Sequence, residues 1–164
     1  MLVGVVVDKL AHARHPRRFY DNSYHWALAM LLERYCGLLR VSQRAGRVIC
    51  EARGKGPDRL LQRAYQQILQ RGTPHYRHPA AFFAEVLTSK EIRFLPKIPP
   101  VAGLEIADGL VRTVKLEILA ENAGSDPVSQ PFQAAIEGAI GTKWNRRWGT
   151  GRVRGYGKAF FTLP

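Results

Sequence analysis

Residues 99–111 read Pro-Pro-Val-Ala-Gly-Leu-Glu-Ile-Ala-Asp-Gly-Leu-Val. Neither proline donates a backbone hydrogen bond and both disfavour helix before them, so one element must end here and another begin. From Leu104 onward, Ile106, Ala107, Leu110, Val111 and Val114 recur close to a helical period. Set into that run are Glu105 and Asp108, three positions apart and therefore on one face of the predicted helix. Carboxylates on an apolar helix cost free energy if they are buried without partners. They form either a solvated stripe or a site.

The chain has 164 residues, 46% of them hydrophobic, which suits one domain with a real core. Charge narrows the function classes: 25 Lys plus Arg against 13 Asp plus Glu give a formal net charge of +12. Such an excess points to a polyanionic partner, nucleic acid before membrane, because no basic amphipathic anchor stands out. The bland alternative is a basic but inert surface. Cys36 and Cys50 have no metal-type spacing, and two cysteines do not make a secreted disulfide scaffold. The opening Met1–Val7 run is too short to span a bilayer and lacks the features of a signal peptide. A reduced, cytoplasmic, soluble protein without a membrane partner is the expectation.

Leu2 to Val7 is a β-branched run ending at Asp8, predicted as a strand buried on both faces. Residues 11–22 are polar and basic around Pro16 and read as a loop, in which His12 and His15 are either surface residues or metal ligands. Asp21, Asn22 and Ser23 are N-cap residues for a long helix rich in Leu, Trp26 and Met30, whose narrow polar face is Glu33, Arg34 and Arg40. Gly46 turns the chain into a short strand, residues 47–51, with Glu51 near its carboxyl end and glycine at position 54. Sites form outside the carboxyl ends of strands in open α/β sheets. The alternative for Glu51 is a structural ion pair with Arg53 or another basic side chain.

Pro57 and Asp58 begin an amphipathic helix with Leu60, Leu61, Ala64, Tyr65, Ile68 and Leu69 as its stripe and Gly72 as its stop. A shorter helix over 79–87 and a strand over 92–95 follow. Beyond the Glu105/Asp108 helix, residues 122–131 read as a loop and 132–140 as a last helix. From Gly141 the chain carries Lys143, Arg146, Arg147, Arg152, Arg154 and Lys158 and no acid, interleaved with Trp144, Trp148, Tyr156, Phe160 and Phe161. Cations between aromatics suit a nucleic-acid backbone and unstacked bases. Otherwise the aromatics of this basic tail, residues 141–164, dock on the core while the arginines stay solvated.

The order of elements resembles part of the ribonuclease H-like fold, an α/β mixed sheet flanked by helices. More narrowly, the chain resembles the prokaryotic family of unknown function catalogued as DUF 3800. The residues that carry the resemblance are Val5-Val6-Val7-Asp8-Lys9, Tyr24, Ala27-Leu28, Leu31-Leu32-Glu33-Arg34 and Glu51-Ala52-Arg53-Gly54. It continues through Asp58, Leu61, Tyr65, Gly72-Thr73, Ala102 to Asp108, Gly155-Tyr156-Gly157-Lys158 and Pro164. Members typically open with an Asp-Glu-Ser-Gly strand and a further strand, both absent here, and commonly show Gln where this chain has Glu105. Residues 1–164 are thus expected to be a single partial ribonuclease H-like domain, N-terminally truncated. Its first strand would then offer an edge for self-association or for pairing with a missing segment.

Ribonuclease H-like nucleases hold two divalent ions between carboxylates of a first strand, a middle strand and a late helix, and use them to activate water and stabilise the leaving oxygen. The resemblance implies Glu51 and Asp108 as catalytic metal ligands with Glu105 assisting, Mg2+ or Mn2+ as the cofactor, and a DNA or RNA substrate held by the basic flanks. The carboxylate of the first strand has no counterpart. Two function classes follow: a metal-dependent nuclease with an incomplete acidic site, or a non-catalytic nucleic-acid-binding or interaction module on the same fold.

Overall fold

The computed structural model describes residues 1–14, 22–73, 78–125 and 130–161. It is a mixed α/β protein with small parallel sheets. Its elements are β1 (Gly4–Val7), α1 (Lys9–Arg14), α2 (Ser23–Val41), β2 (Ile49–Glu51), α3 (Lys55–Arg71), α4 (Ala80–Ala84), β3 (Arg93–Leu95), α5 (Ala102–Ala123), α6 (Pro131–Ile140) and β4 (Lys158–Phe161). The described strands form two parallel pairs, β1 with β4 and β2 with β3. Where the sequence reads as one domain, the contacts divide the chain into two compact units, Phe19–Glu105 and a second made of Met1–Arg18 with Ile106–Pro164.

In the Phe19–Glu105 unit, α2 begins where the Asn22 side chain accepts the Tyr24 amide at 2.8 Å, the capping bond expected of that residue type. The helix packs on α3 and α4 and buries Trp26, Met30, Leu32, Cys36 and Leu39 together with Ala64, Tyr65 and Ile68 of α3 and Phe83 of α4. Helix α3 stops at Gly72, whose φ of 79° is the left-handed conformation glycine adopts without strain. The β2–β3 pair aligns Ile49 with Arg93 and Glu51 with Leu95. Three bonds tie the approach to β3 onto α3: Tyr65 donates its hydroxyl to the Ser89 carbonyl at 2.7 Å, Gln62 Nε2 donates to the Lys90 carbonyl at 3.4 Å, and the Ile92 amide donates to Gln62 Oε1 at 2.9 Å. The polar face expected of α2 is corrected. Glu33 and Arg34 are buried, and only Arg40 is exposed, pairing with Glu85 at 3.2 Å.

In the second unit, β1 is narrower than predicted and only Gly4 is fully buried, Val5 to Val7 being half-buried. It runs parallel to β4, with Gly4 opposite Lys158 and Val7 opposite Phe161. The residues expected to form a loop after it begin instead with α1. There Asp8 caps the helix by accepting the Leu10 and Ala11 amides at 2.9 and 3.0 Å, and His12 is buried. His15 and the arginines after Pro16 lie outside the described residues. The core is Val114 and Ile118 of α5, Ile140 of α6 and Trp144, closed over by Leu2, Val6, Leu110, Ile136, Val153 and Phe160. Gly4 lets α5 approach the strand: a Cβ there would lie 3.1 Å from Ile118 Cδ1 and collide with Val114. Helix α5 is not apolar in the way its sequence suggests, since Ile106 and Val111 are 62% and 63% exposed and its burial begins at Thr113.

The expected tail after Gly141 is corrected as well. It supplies the strand beside β1 in two pieces. Leu2 donates to the Lys143 carbonyl at 2.6 Å and accepts from the Asn145 amide at 2.8 Å, and Gly4 then donates to the Gly157 carbonyl at 2.7 Å ahead of β4. Between Asn145 and Gly157 the chain leaves the strand line and returns to it.

Candidate nucleic-acid interface

Residues 146–156 form the excursion, and its base is pinched. Asn145 Nδ2 donates to the Tyr156 carbonyl at 3.3 Å. Gly157 lies so near that a Cβ would stand 2.5 Å from the Asn145 carbonyl oxygen and 3.0 Å from its nitrogen. Within the loop, the Arg147 amide donates to the Arg152 carbonyl at 2.8 Å and the Gly151 amide to the Arg147 carbonyl at 3.0 Å. Arg146 staples the tip to the end of α6, donating to the Gly151 and Gly141 carbonyls at 3.3 Å each. Gly149 and Gly151, at φ 79° and 67°, make the turns a side chain would strain. The loop is therefore a built structure, closed at both ends as Ω-loops are.

What it presents is cationic and aromatic. Lys143, Arg146, Arg147, Arg152 and Arg154 are all exposed, and none forms an ion pair among the described residues. The Arg147 guanidinium sits 5.9 Å from the Tyr156 ring centroid, within cation–π range. Trp148 projects from the turn with 83% of its surface exposed, while Trp26 and Trp144 are buried.

Lys158, expected among these nucleic-acid contacts, has another role. It is buried, its Nζ is hydrogen-bonded to both Glu117 and Glu121 of α5, and it stands 4.9 Å over the Trp144 ring. Burial alone would lower its pKa, but the bonds to Glu117 and Glu121 outweigh that and hold it above the ordinary lysine value. The sequence did carry a signal for this pair, because acids four apart on a helix share a face. What it could not show was which cation would lie between them.

The acidic residues lie elsewhere. Glu51 ends β2, half-buried, with no hydrogen bond or ion pair to its carboxylate among the described residues; the proposed pair with Arg53 does not form. The Arg53 amide instead bonds Asp58 at 2.9 Å. Glu105 and Asp108 are both exposed, one helical turn apart on α5. Glu51 and Asp108 belong to different compact units, so their convergence is a property of neither unit alone. Among the described residues no three His, Cys, Asp or Glu side chains gather as a metal-holding group. The expected donors for Mg2+ or Mn2+ are thus divided between the two units, and Asp8 Oδ1 caps α1.

A second polar cluster escaped the sequence entirely. Among the described residues neither carboxylate oxygen of Glu33 has a well-formed hydrogen bond, the Arg34 guanidinium stands 3.9 Å away, and the buried Thr73 hydroxyl is likewise without a well-formed bond. Burial pushes the Glu33 pKa up to about 7 against the opposing pull of Thr73 and Arg34.

No helix among the described residues is long and apolar enough to cross a membrane. Compared with known proteins, the chain matches no family model, no curated protein and no solved structure.

Proposed function

We propose that this chain is a nucleic-acid-binding module that takes hold of the phosphate backbone through residues 143–154. The observation that carries the reading is the pinched loop, which holds Arg147, Arg152 and Arg154 exposed in a region without a single acid. Phosphate contacts of this kind give affinity without sequence preference, and they weaken steeply with salt because binding releases counterions. The test is a polarisation titration of a labelled oligonucleotide across a salt series. Neutralising Arg152 and Arg154 together should reduce the slope of log K against log salt by about 1.4 on a single strand. An unchanged slope, or no binding at low salt, would overturn the reading.

The resemblance to DUF 3800 and to the ribonuclease H-like fold supports a second reading, a metal-dependent nuclease using Glu51, Asp108 and Glu105 with Mg2+ or Mn2+. One observation favours it: Glu51 ends a parallel strand, its carboxylate without an ion pair among the described residues, where α/β proteins tend to place their sites.

A further inference from the structure

We infer that the nucleic acid taken by this loop is single-stranded, and that Trp148 is the platform on which an unpaired base stacks. This rests on the nucleic-acid reading above and adds the class of substrate. Trp148 stands at the turn of the loop with 83% of its surface in water, although the same unit buries Trp144 to 4%. A large apolar ring left outside a core that takes its neighbour is available to a partner. Its placement is fixed rather than incidental. The Arg147–Arg152 bond closes the turn beneath it, Arg146 ties the turn to Gly141, and Asn145 and Gly157 pinch the base. A turn whose backbone is already held in place has little main-chain freedom left to lose when the ring stacks.

Duplex and single strand present different chemistry to such a ring. In a duplex the base faces are covered by their neighbours, and an indole reaches one only by prising a step apart. In a single strand every base has an open face, and a groove of cations with an interleaved aromatic holds the backbone and the bases together. Arg147, Arg152 and Arg154 lie within six positions of Trp148, and the segment from Gly141 onward carries no acid of its own. The same ring and charges would also suit an anionic lipid surface. The loop turn offers only a single indole, however, beside the exposed Arg146, Arg147, Arg152 and Arg154. The charge therefore outweighs the greasy contact.

The experiment uses the full chain, with an oligothymidylate of about 12 nucleotides, a duplex of the same length, and vesicles of mixed phosphatidylserine and phosphatidylcholine as probes. Trp148 is the single exposed tryptophan, so quenching of the intrinsic fluorescence reports on it. The expected result is that the single strand quenches the emission and binds more tightly than the duplex. Trp148→Ala should weaken single-strand binding about tenfold, a typical loss for one stacked base. Duplex binding and the salt slope should be unchanged, and Trp148→Phe should retain most of the preference. If duplex and single strand bind equally, or Trp148→Ala leaves the single strand unaffected while Arg152 and Arg154 still matter, the inference falls and the nucleic-acid reading stands. Quenching by the vesicles alone, with neither oligonucleotide bound, would overturn both.

Discussion

Lys158 and Glu117 stand 41 residues apart in the chain, and their buried ion pair fastens the last strand to α5. Glu121 joins from the more exposed side of the same helix. Removing the ammonium would leave the Glu117 carboxylate enclosed without its cation, with one of its oxygens already lacking a hydrogen-bond partner among the described residues. Lys158→Met should therefore destabilise the protein by about 3 kcal/mol. Glu121→Gln, which removes a half-exposed partner, should cost under about 1 kcal/mol. Pairing Lys158→Met with Glu117→Gln should recover part of the loss. Urea midpoints at constant m-value measure all three. The pH dependence has a definite sign. A lysine whose folded pKa is raised contributes stability that is complete below the unfolded value. That contribution is lost as pH rises through the higher folded one, so it should survive to about pH 10.

Glu33 reverses that arrangement. Its folded pKa is raised from 4.5 to about 7, first by burial. Below about pH 4.5 the carboxyl is protonated in both states and nothing is lost. Between the two values the folded state holds a proton that the unfolded state releases, so stability falls as pH rises through this window. The total fall is about 3 kcal/mol at 1.36 kcal/mol per unit. Glu33→Gln removes the titration. The variant should match the parent near pH 4 and exceed it near pH 8, read as a flat profile of urea midpoints. A parent profile that rises with pH across this window would show that Glu33 finds a partner when charged.

Most helices were legible from the sequence because they carried local signals, although α1 falls where a loop is expected and α6 opens at Pro131, one residue earlier than expected. Asn22 caps α2, Gly72 stops α3, and Pro131 opens α6 as its first residue. The strands were harder, since four short segments pair across the chain and β4 is recruited from what reads as a basic tail. Periodicity cannot say whether Phe160 and Phe161 dock as side chains or enter a sheet. It also misjudged burial on α5, where the apolar spacing at Ile106 and Val111 matches a core helix yet both are exposed. The arginines of the candidate interface were visible as charge. The exposure of Trp148, and the burial of Lys158, Glu33 and Arg34, depended on contacts from distant segments. Composition does not encode those.

The pinch at the loop base predicts a contrast among glycines. At Gly157 a Cβ would meet Asn145 backbone at 2.5 and 3.0 Å, and backbone cannot rotate away. Gly157→Ala should therefore cost about 1–3 kcal/mol and loosen the loop, lowering oligonucleotide affinity along with stability. Gly103 and Gly109 of α5 have open space where a Cβ would stand. Alanine at either should stabilise the helix by about 0.5–1 kcal/mol and leave binding unchanged. Thermal midpoints and the polarisation titration together separate the two classes.

The last prediction concerns the acids. A magnesium ion keeps several waters and asks for one or two protein carboxylates besides substrate oxygens, and a two-metal site spans only about 4 Å. Glu105 and Asp108 offer two exposed carboxylates one turn apart on α5, and Glu51 belongs to a different compact unit from Asp108. If the chain acts as a binding module, the purified protein should retain a labelled single strand intact in Mg2+ or Mn2+. Asp108→Asn and Glu51→Gln should then each bind as the parent does, or slightly more tightly, since removing an acid adds to the positive field around the phosphates. Cleavage products on a denaturing gel would reverse this if they need the metal and vanish in both variants. Loss of one activity in both folded variants would show that it needs Glu51 and Asp108 alike. Circular dichroism of each variant beside the parent supplies the folding control. Loss in Asp108→Asn alone would instead point to Glu105 as its partner, placing the chemistry on α5.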